Sequence, residues 1–185
     1  MRLPKLTRVV EVMEIRGVKV FAHWSVFLIG AVILLGAREE PSLGITALAA
    51  YYGVLLIHEC GHMIAAQRKR CPVWSIELYP LWGITRFDQP YSRFDRGIIA
   101  WGGVLAQAII AVPLVMWVEM FGFTRFQSVN AILAILGFYS LFIAAFNLLP
   151  IRPLDGAIAW GLLPTLFERL ATRPAKRKAG WRSWR

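Results

Sequence analysis

The pentapeptide HECGH occupies residues 58–62, inside an apolar segment that runs from Leu43 to Ala66. Side chains four residues apart share one face of a helix, so His58 and His62 can bind one metal ion together. Glu59 lies between them and can act as a general base beside the metal. At about 1.5 Å of rise per residue, the apolar segment is long enough to cross a membrane. Ionisable residues at such a depth are costly and usually functional.

The composition indicates an integral membrane protein of one domain. Of the 185 residues, 57% are hydrophobic and eight are Trp, and the mean hydropathy is +0.54. An ordinary soluble domain has an apolar share nearer ~45–50%. The net charge of +10 fits basic flanks of membrane spans better than nucleic-acid binding. The two cysteines, Cys60 and Cys71, are expected to be free thiols on a reducing side of the membrane.

The hydropathy pattern predicts an all-α polytopic membrane protein with about four transmembrane helices. The candidate spans are Phe21–Ala37, Leu43–Ala66, Gly97–Phe121 and Phe126–Leu149. Residues 72–96, which contain three prolines, predict a small membrane-associated β-sheet between the second and third spans, with strands at Val73–Leu78 and Ile84–Phe87. A further short strand is possible in the partly alternating segment Val9–Val20.

After the fourth span, residues 157–170 are apolar but contain Pro164, and they predict a short surface helix rather than a fifth span. Residues 1–170 form the predicted core, and residues 171–185 form a basic tail that is expected to be mobile.

The distribution of basic residues predicts the orientation of these spans. With four spans, 19 of the 21 Lys and Arg residues fall on one side, and only Arg38 and Arg125 fall on the other. The positive-inside rule then places both termini in the cytoplasm, with the protein in the cell (cytoplasmic) membrane. The second and fourth spans both run inward, so His58, His62 and the later Asp155 are predicted at a similar depth on the cytoplasmic side.

Asp155 is the best candidate for a third metal ligand. Catalytic zinc usually takes three protein ligands and keeps one position open, and few acids lie in or near the spans. Glu59 is needed as the base, and Gly156 with the neighbouring prolines lets the backbone bend toward the metal. Two alternatives remain at this point. Asp155 could instead cap the following helix, and the two histidines could be packed core residues bonded to backbone.

The sequence resembles the site-2 protease family of intramembrane zinc metalloproteases. The similar features are HECGH near the end of a span, NLLPIRPLDG at residues 147–156 after a later span, and the segment IELYPLWG at residues 76–83. The chain resembles a compact form of the family, without appended regulatory domains.

The resemblance implies one Zn²⁺ per chain bound by His58, His62 and Asp155, with Glu59 as the catalytic residue. It implies a membrane-spanning protein segment as the substrate, and a role for Asn147 in holding the substrate or the oxyanion. An interhelical hydrogen bond is the alternative for Asn147. The family's Gly-Pro-x-x-Asn pattern is altered, because Gln107 stands where Asn is expected.

The sequence therefore predicts a zinc endopeptidase that acts in the bilayer on a transmembrane protein, with a homo-oligomer or a separate regulatory chain as further possibilities. Two other functions remain open: a catalytically silent homologue that binds membrane proteins, and a membrane protein that handles zinc. The strand Val73–Leu78 is also predicted to expose an edge that could capture an unwound substrate by strand addition.

Overall fold

The computed structural model describes residues 9–171, except for the side chain of Arg169. The predicted basic tail therefore lies outside the described residues, apart from Ala171. In chain order, the elements are β1 (Val9–Ile15), β2 (Val18–His23), α1 (Trp24–Gly36), α2 (Pro41–Arg68), β3 (Val73–Leu78), β4 (Gly83–Phe87), α3 (Arg93–Phe121), α4 (Gln127–Asn147), α5 (Gly156–Ala159) and α6 (Leu162–Ala171).

Among the described residues, three helices are long and apolar enough to cross a membrane, namely α2, α3 and α4. Pro41 begins α2 at a position where a missing N–H costs nothing, and the Ser92 hydroxyl caps α3 by accepting a hydrogen bond from the backbone N–H of Asp95. The middle of α4, Leu133–Tyr139, is π-helical. These helices agree with the second, third and fourth predicted spans to within a few residues.

The first predicted span is shorter than expected. Helix α1 has 13 residues, or about 20 Å at 1.5 Å per residue, against a hydrocarbon core of about 30 Å. It begins at Trp24, because the preceding residues Phe21–His23 belong to strand β2. The total of four spans therefore stays a prediction. Residues 157–170 contain only the short helices α5 and α6, as expected, and neither is long enough to span.

The sheet has four strands in the order β1-β2-β3-β4, with an antiparallel pair at each side and β2 parallel to β3 in the middle. The predicted strands between the second and third spans are present as β3 and β4, and the possible strand within Val9–Val20 is present as β1 and the start of β2. The sheet is larger than predicted, because two of its four strands precede α1. Positive φ angles at Arg16 (53°) and Gly17 (80°) turn the chain between β1 and β2. Alternate residues Val18, Val20 and Ala22 are buried on one face, which fixes β2 as a strand.

The buried face of the sheet packs along α2 close to the HECGH motif. Val20, Ile76 and Leu78 from the sheet form one cluster with Leu55 and Met63 from the helix. The prediction that β3 offers a free edge is wrong, because β3 is paired on both sides. The edge strand next to β3 is β4, and it lies next to Glu59.

Helices α2 and α3 cross at very short distance. A Cβ atom on Gly61 would lie 2.7 Å from Cβ of Ala106, and one on Gly102 would lie 2.6 Å from the carbonyl oxygen of Gly61. Gly61 and Gly102 therefore permit the close approach of the two helices. The crossing brings the middle of α3 against the face of α2 that carries both histidines.

Candidate metal centre and active site

His58 and His62 lie on adjoining turns of α2, and their Nε2 atoms point toward each other at 3.0 Å. Both residues are buried. Oδ2 of Asp155 lies 2.9 Å from Nε2 of His58 and 3.2 Å from Nε2 of His62. Three potential ligand atoms from two distant parts of the chain thus converge on one point, as the sequence predicted for these three residues.

The second nitrogen of each imidazole fixes its tautomer. His58 Nδ1 lies 2.8 Å from Oε1 of Gln107, and His62 Nδ1 lies 2.8 Å from the backbone carbonyl oxygen of Ile99. Those oxygens only accept hydrogen bonds, so each Nδ1 must carry the proton and donate it. Each neutral imidazole then presents the lone pair of Nε2 to the other imidazole and to Asp155.

The carboxyl group of Asp155 lies beside these two nitrogen lone pairs. The residue stands at the N-cap position of α5, yet its side chain makes no capping hydrogen bond. The geometry therefore favours the ligand interpretation of Asp155 over the capping one.

This donor set fits a zinc ion. Two nitrogen lone pairs and a carboxylate oxygen face one another with no proton assigned between them, and a cation removes that repulsion. With metal–ligand distances of about 2.0–2.2 Å, tetrahedral zinc separates its ligand atoms by roughly 3.3 Å, close to the spacings of 2.9–3.2 Å found here. Among the described residues, no other group of three or more His, Cys, Asp or Glu side chains has this potential.

Glu59 packs against strand β4. Its Oε2 atom accepts a hydrogen bond of 2.7 Å from the hydroxyl group of Thr85. A Cβ atom added to Gly83 would lie 2.6 Å from both Cδ and Oε1 of Glu59, so the carboxyl group of Glu59 lies directly against the backbone of the strand. Glu59 itself is only 5% exposed. No sequence signal indicated the contacts of Thr85 and Gly83 with Glu59, because these contacts depend on where β4 lies against α2.

Two residues of α3 shape the other side of the centre. A Cβ atom on Gly103 would lie 2.6 Å from Nε2 of His62 and 2.8 Å from Nε2 of His58, so this glycine provides the space that the two rings occupy. Gln107 is fully buried and holds His58 through Oε1, while its Nε2 atom has no hydrogen-bond partner among the described residues. Gln107, which stands where the family pattern has Asn, thus contacts the site. In the sequence, the only indication of this was a single carboxamide side chain within an apolar segment.

A cavity of about 730 Å³ opens beside the candidate metal centre. Its walls are largely apolar and come from α2, β4, the end of α4 and residues 153–158. Asn147, the last residue of α4, lines this cavity. Its carboxamide makes no hydrogen bond with the side chains or backbone of residues 9–171, so the alternative of an interhelical bond finds no support there.

The cysteines take no part in this arrangement. Both are free among the described residues, and Cys60 packs against the sheet cluster on the side of α2 away from the two imidazoles.

These features define an integral membrane protein with a candidate metal centre between its helices, beside a small sheet. The fold is that of a site-2 protease. It is similar to the structure titled "Site-2 Protease from Methanocaldococcus jannaschii" with a TM-score of 0.61, over 87% of this chain and 72% of that chain, at 20% sequence identity. No protein-family model matches the sequence, and no curated protein sequence matches it either. The likeness therefore supports the motif-based resemblance at the level of the fold.

Proposed function

We propose that the protein is an intramembrane zinc endopeptidase that hydrolyses a peptide bond within or near a transmembrane segment of another membrane protein. The observation that carries this proposal is the convergence of His58, His62 and Asp155, whose facing donor atoms lie 2.9–3.2 Å apart, with Glu59 next to His58 in the chain. An acceptor set of this kind, with both imidazoles buried, needs a cation, and a neighbouring carboxylate with access to a cavity is what peptide hydrolysis requires.

The residues divide the chemical work as follows. A zinc ion held by His58, His62 and Asp155 would supply Lewis acidity toward the scissile carbonyl group and the attacking water. Glu59 takes the proton of that water and later donates it to the leaving amine. Thr85 fixes the direction of the Glu59 carboxylate through its hydroxyl group. Asn147, which lines the same cavity, would donate a hydrogen bond to the carbonyl oxygen as charge develops there.

Strand β4 offers a means of holding the substrate. A helical segment hides its carbonyl groups in its own hydrogen bonds, so it must unwind before attack. The backbone of β4 is paired only with β3 among the described strands, and Gly83, Ile84 and Thr85 line the cavity with Glu59. An unwound segment that adds to this edge would gain backbone hydrogen bonds next to the base.

The sheet also supports the predicted topology. Because β2 pairs with β3, the segments before α1 and after α2 lie at the same side of the membrane. If α2 crosses the bilayer completely, the chain must also cross between β2 and α2, and α1 is the apolar element available there. The pairing supports four crossings with both termini on one side of the membrane, and α1 is short because the sheet covers part of the depth. The positive-inside rule makes that side the cytoplasm.

The test of this function is cleavage of single-span substrates by purified protein in vesicles. The zinc-loaded protein is expected to cut within or near the span, as located by mass spectrometry of the products, and a chelator should stop the reaction. Glu59→Gln should keep its zinc and lose cleavage. A Glu59→Gln protein that still turns over substrate would exclude the protease mechanism, and metal-bound wild type that cuts no substrate would favour a binding or zinc-handling role instead.

A further inference from the structure

The cavity contains two polar side chains that the proposed chemistry does not use. The metal ligands, Glu59, Thr85 and Asn147 have roles in the centre, and most of the remaining wall is apolar. The two unassigned side chains are those of Gln89 and Arg96, and both residues are exposed. An arginine that lines the cavity and remains accessible to solvent can bind an anionic group of a ligand in that cavity.

The position of Arg96 relative to the metal centre follows from α3. His62 donates a hydrogen bond to the carbonyl oxygen of Ile99, so Ile99 marks the depth of the centre on this helix. Arg96 lies three residues nearer the N-terminal end of α3, or about 4.5 Å along the axis. The N-terminal end of α3 and the connection from β4 that precedes it carry the charged residues Asp88, Arg93 and Asp95, so we take this end to face water. Arg96 therefore lies between the metal centre and the aqueous end of the cavity.

Arg96 has no acidic partner in residues 9–171. The nearby carboxylate of Asp95 forms an ion pair with Lys69 at 2.9 Å, and that of Asp88 accepts a hydrogen bond from the indole of Trp74 at 3.2 Å. Within the described part of the chain, no ion pair or side-chain hydrogen bond engages the Arg96 guanidinium. A guanidinium presents a planar set of donors that matches a carboxylate.

We infer that Arg96 is a specificity-determining residue that binds an Asp or Glu side chain of the substrate, on the flank where the cleaved segment leaves the membrane. This inference rests on the proposed protease function and narrows its substrate class. An extended chain advances about 3.3 Å per residue, so the acidic residue should lie roughly two to four residues from the scissile bond.

The positive charge of Arg96 also disfavours membrane proteins whose spans have basic flanks. Cytoplasmic flanks of most spans are rich in Lys and Arg, and Arg96 repels such a flank from the cavity. Because Arg96 is exposed, its effect on substrate preference is limited: an exposed ion pair changes a binding constant by up to about five-fold. The preference is also expected to weaken at high salt, since salt screens exposed charges.

The experiment uses three versions of one single-span substrate in phosphatidylcholine vesicles, with Glu, Gln or Lys at the flank position. Wild type is expected to show kcat/KM in the order Glu, Gln, Lys, with a roughly five-fold difference between the extremes. Arg96→Glu should reverse that order. The control is Arg93→Glu, which changes an exposed arginine one turn away that does not line the cavity and should keep the wild-type order.

Binding of the same substrates to Glu59→Gln protein, followed by fluorescence, separates this inference from the protease function. The order Glu, Gln, Lys in dissociation constants supports the role of Arg96 even if no substrate is cut. Equal affinity for the Glu and Lys versions, or an order unchanged by Arg96→Glu, overturns it. The appearance of an Arg96 effect only in vesicles with anionic lipid, and equally for all three substrates, also overturns it, because lipid headgroups would then be the ligand.

Discussion

Two glycines offer a way to separate metal binding from catalysis. Gly103 lies against the imidazoles of His58 and His62, and Gly83 lies against the carboxylate of Glu59. The substitution Gly103→Ala puts a methyl group 2.6 Å from Nε2 of His62, where about 3.5 Å is comfortable. A ring must therefore move by roughly 1 Å, whereas a zinc ligand tolerates only about 0.2 Å.

The expected loss of zinc affinity in Gly103→Ala is about 100-fold or more. Changes to partners that only support a ligand cost 10–100-fold, and here a ligand atom itself is displaced. By contrast, Gly83→Ala puts a methyl group 2.6 Å from Oε1 of Glu59. It should leave zinc affinity within about two-fold of wild type and lower kcat/KM about 100-fold, because a misplacement of 1 Å at a reacting group costs that much.

The assay is competition for zinc between the purified protein and a chromophoric chelator, with cleavage of a single-span substrate measured in parallel. Gly36→Ala is the matched control, because a Cβ atom there meets nothing within 4 Å. Circular dichroism and the elution profile check that each variant is folded. A folded Gly103→Ala protein that binds zinc as tightly as wild type would refute the assignment of the centre.

Three further outcomes follow from the same geometry. Thr85→Val removes the hydroxyl group that holds Glu59 and should lower kcat/KM about ten-fold at unchanged zinc affinity, with Thr85→Ser restoring most of the rate; a metal-binding defect would argue against this role. Gln107→Leu removes the acceptor for His58 and should weaken zinc binding 10–100-fold, while Gln107→Glu keeps an acceptor and should recover part of the loss. Zinc at about 100 times its dissociation constant should stabilise the fold by about 2.7 kcal/mol, seen as a rise in Tm that Asp155→Ala abolishes.

The grouping of His58, His62 and Asp155 could be predicted from the sequence, because two simple features of the sequence indicate it. The spacing of His58 and His62 defines a shared helix face without knowledge of the fold. The joining of Asp155 to the two histidines was predicted by counting charges on either side of the predicted spans. Neither step requires the packing of one helix on another.

The supporting contacts could not be predicted because they depend on that packing. Gln107 reaches His58 only because Gly61 and Gly102 let α2 and α3 approach closely. Thr85 reaches Glu59 only because β4 lies against α2. Sequence hydropathy also missed the boundary at Trp24, since the apolar residues Phe21 and Ala22 near the end of β2 lead almost directly into the apolar helix α1.

The identity of the metal ligands is tested most directly by X-ray absorption at the zinc edge of the loaded protein. We expect one zinc per chain, bound by nitrogen and oxygen at about 2.0–2.2 Å, with the outer-shell pattern of two imidazoles. His62→Ala should reduce that pattern to one imidazole. A sulfur ligand at about 2.3 Å, which Cys60 or Cys71 would supply, or a spectrum unchanged in His62→Ala, would contradict the centre described above.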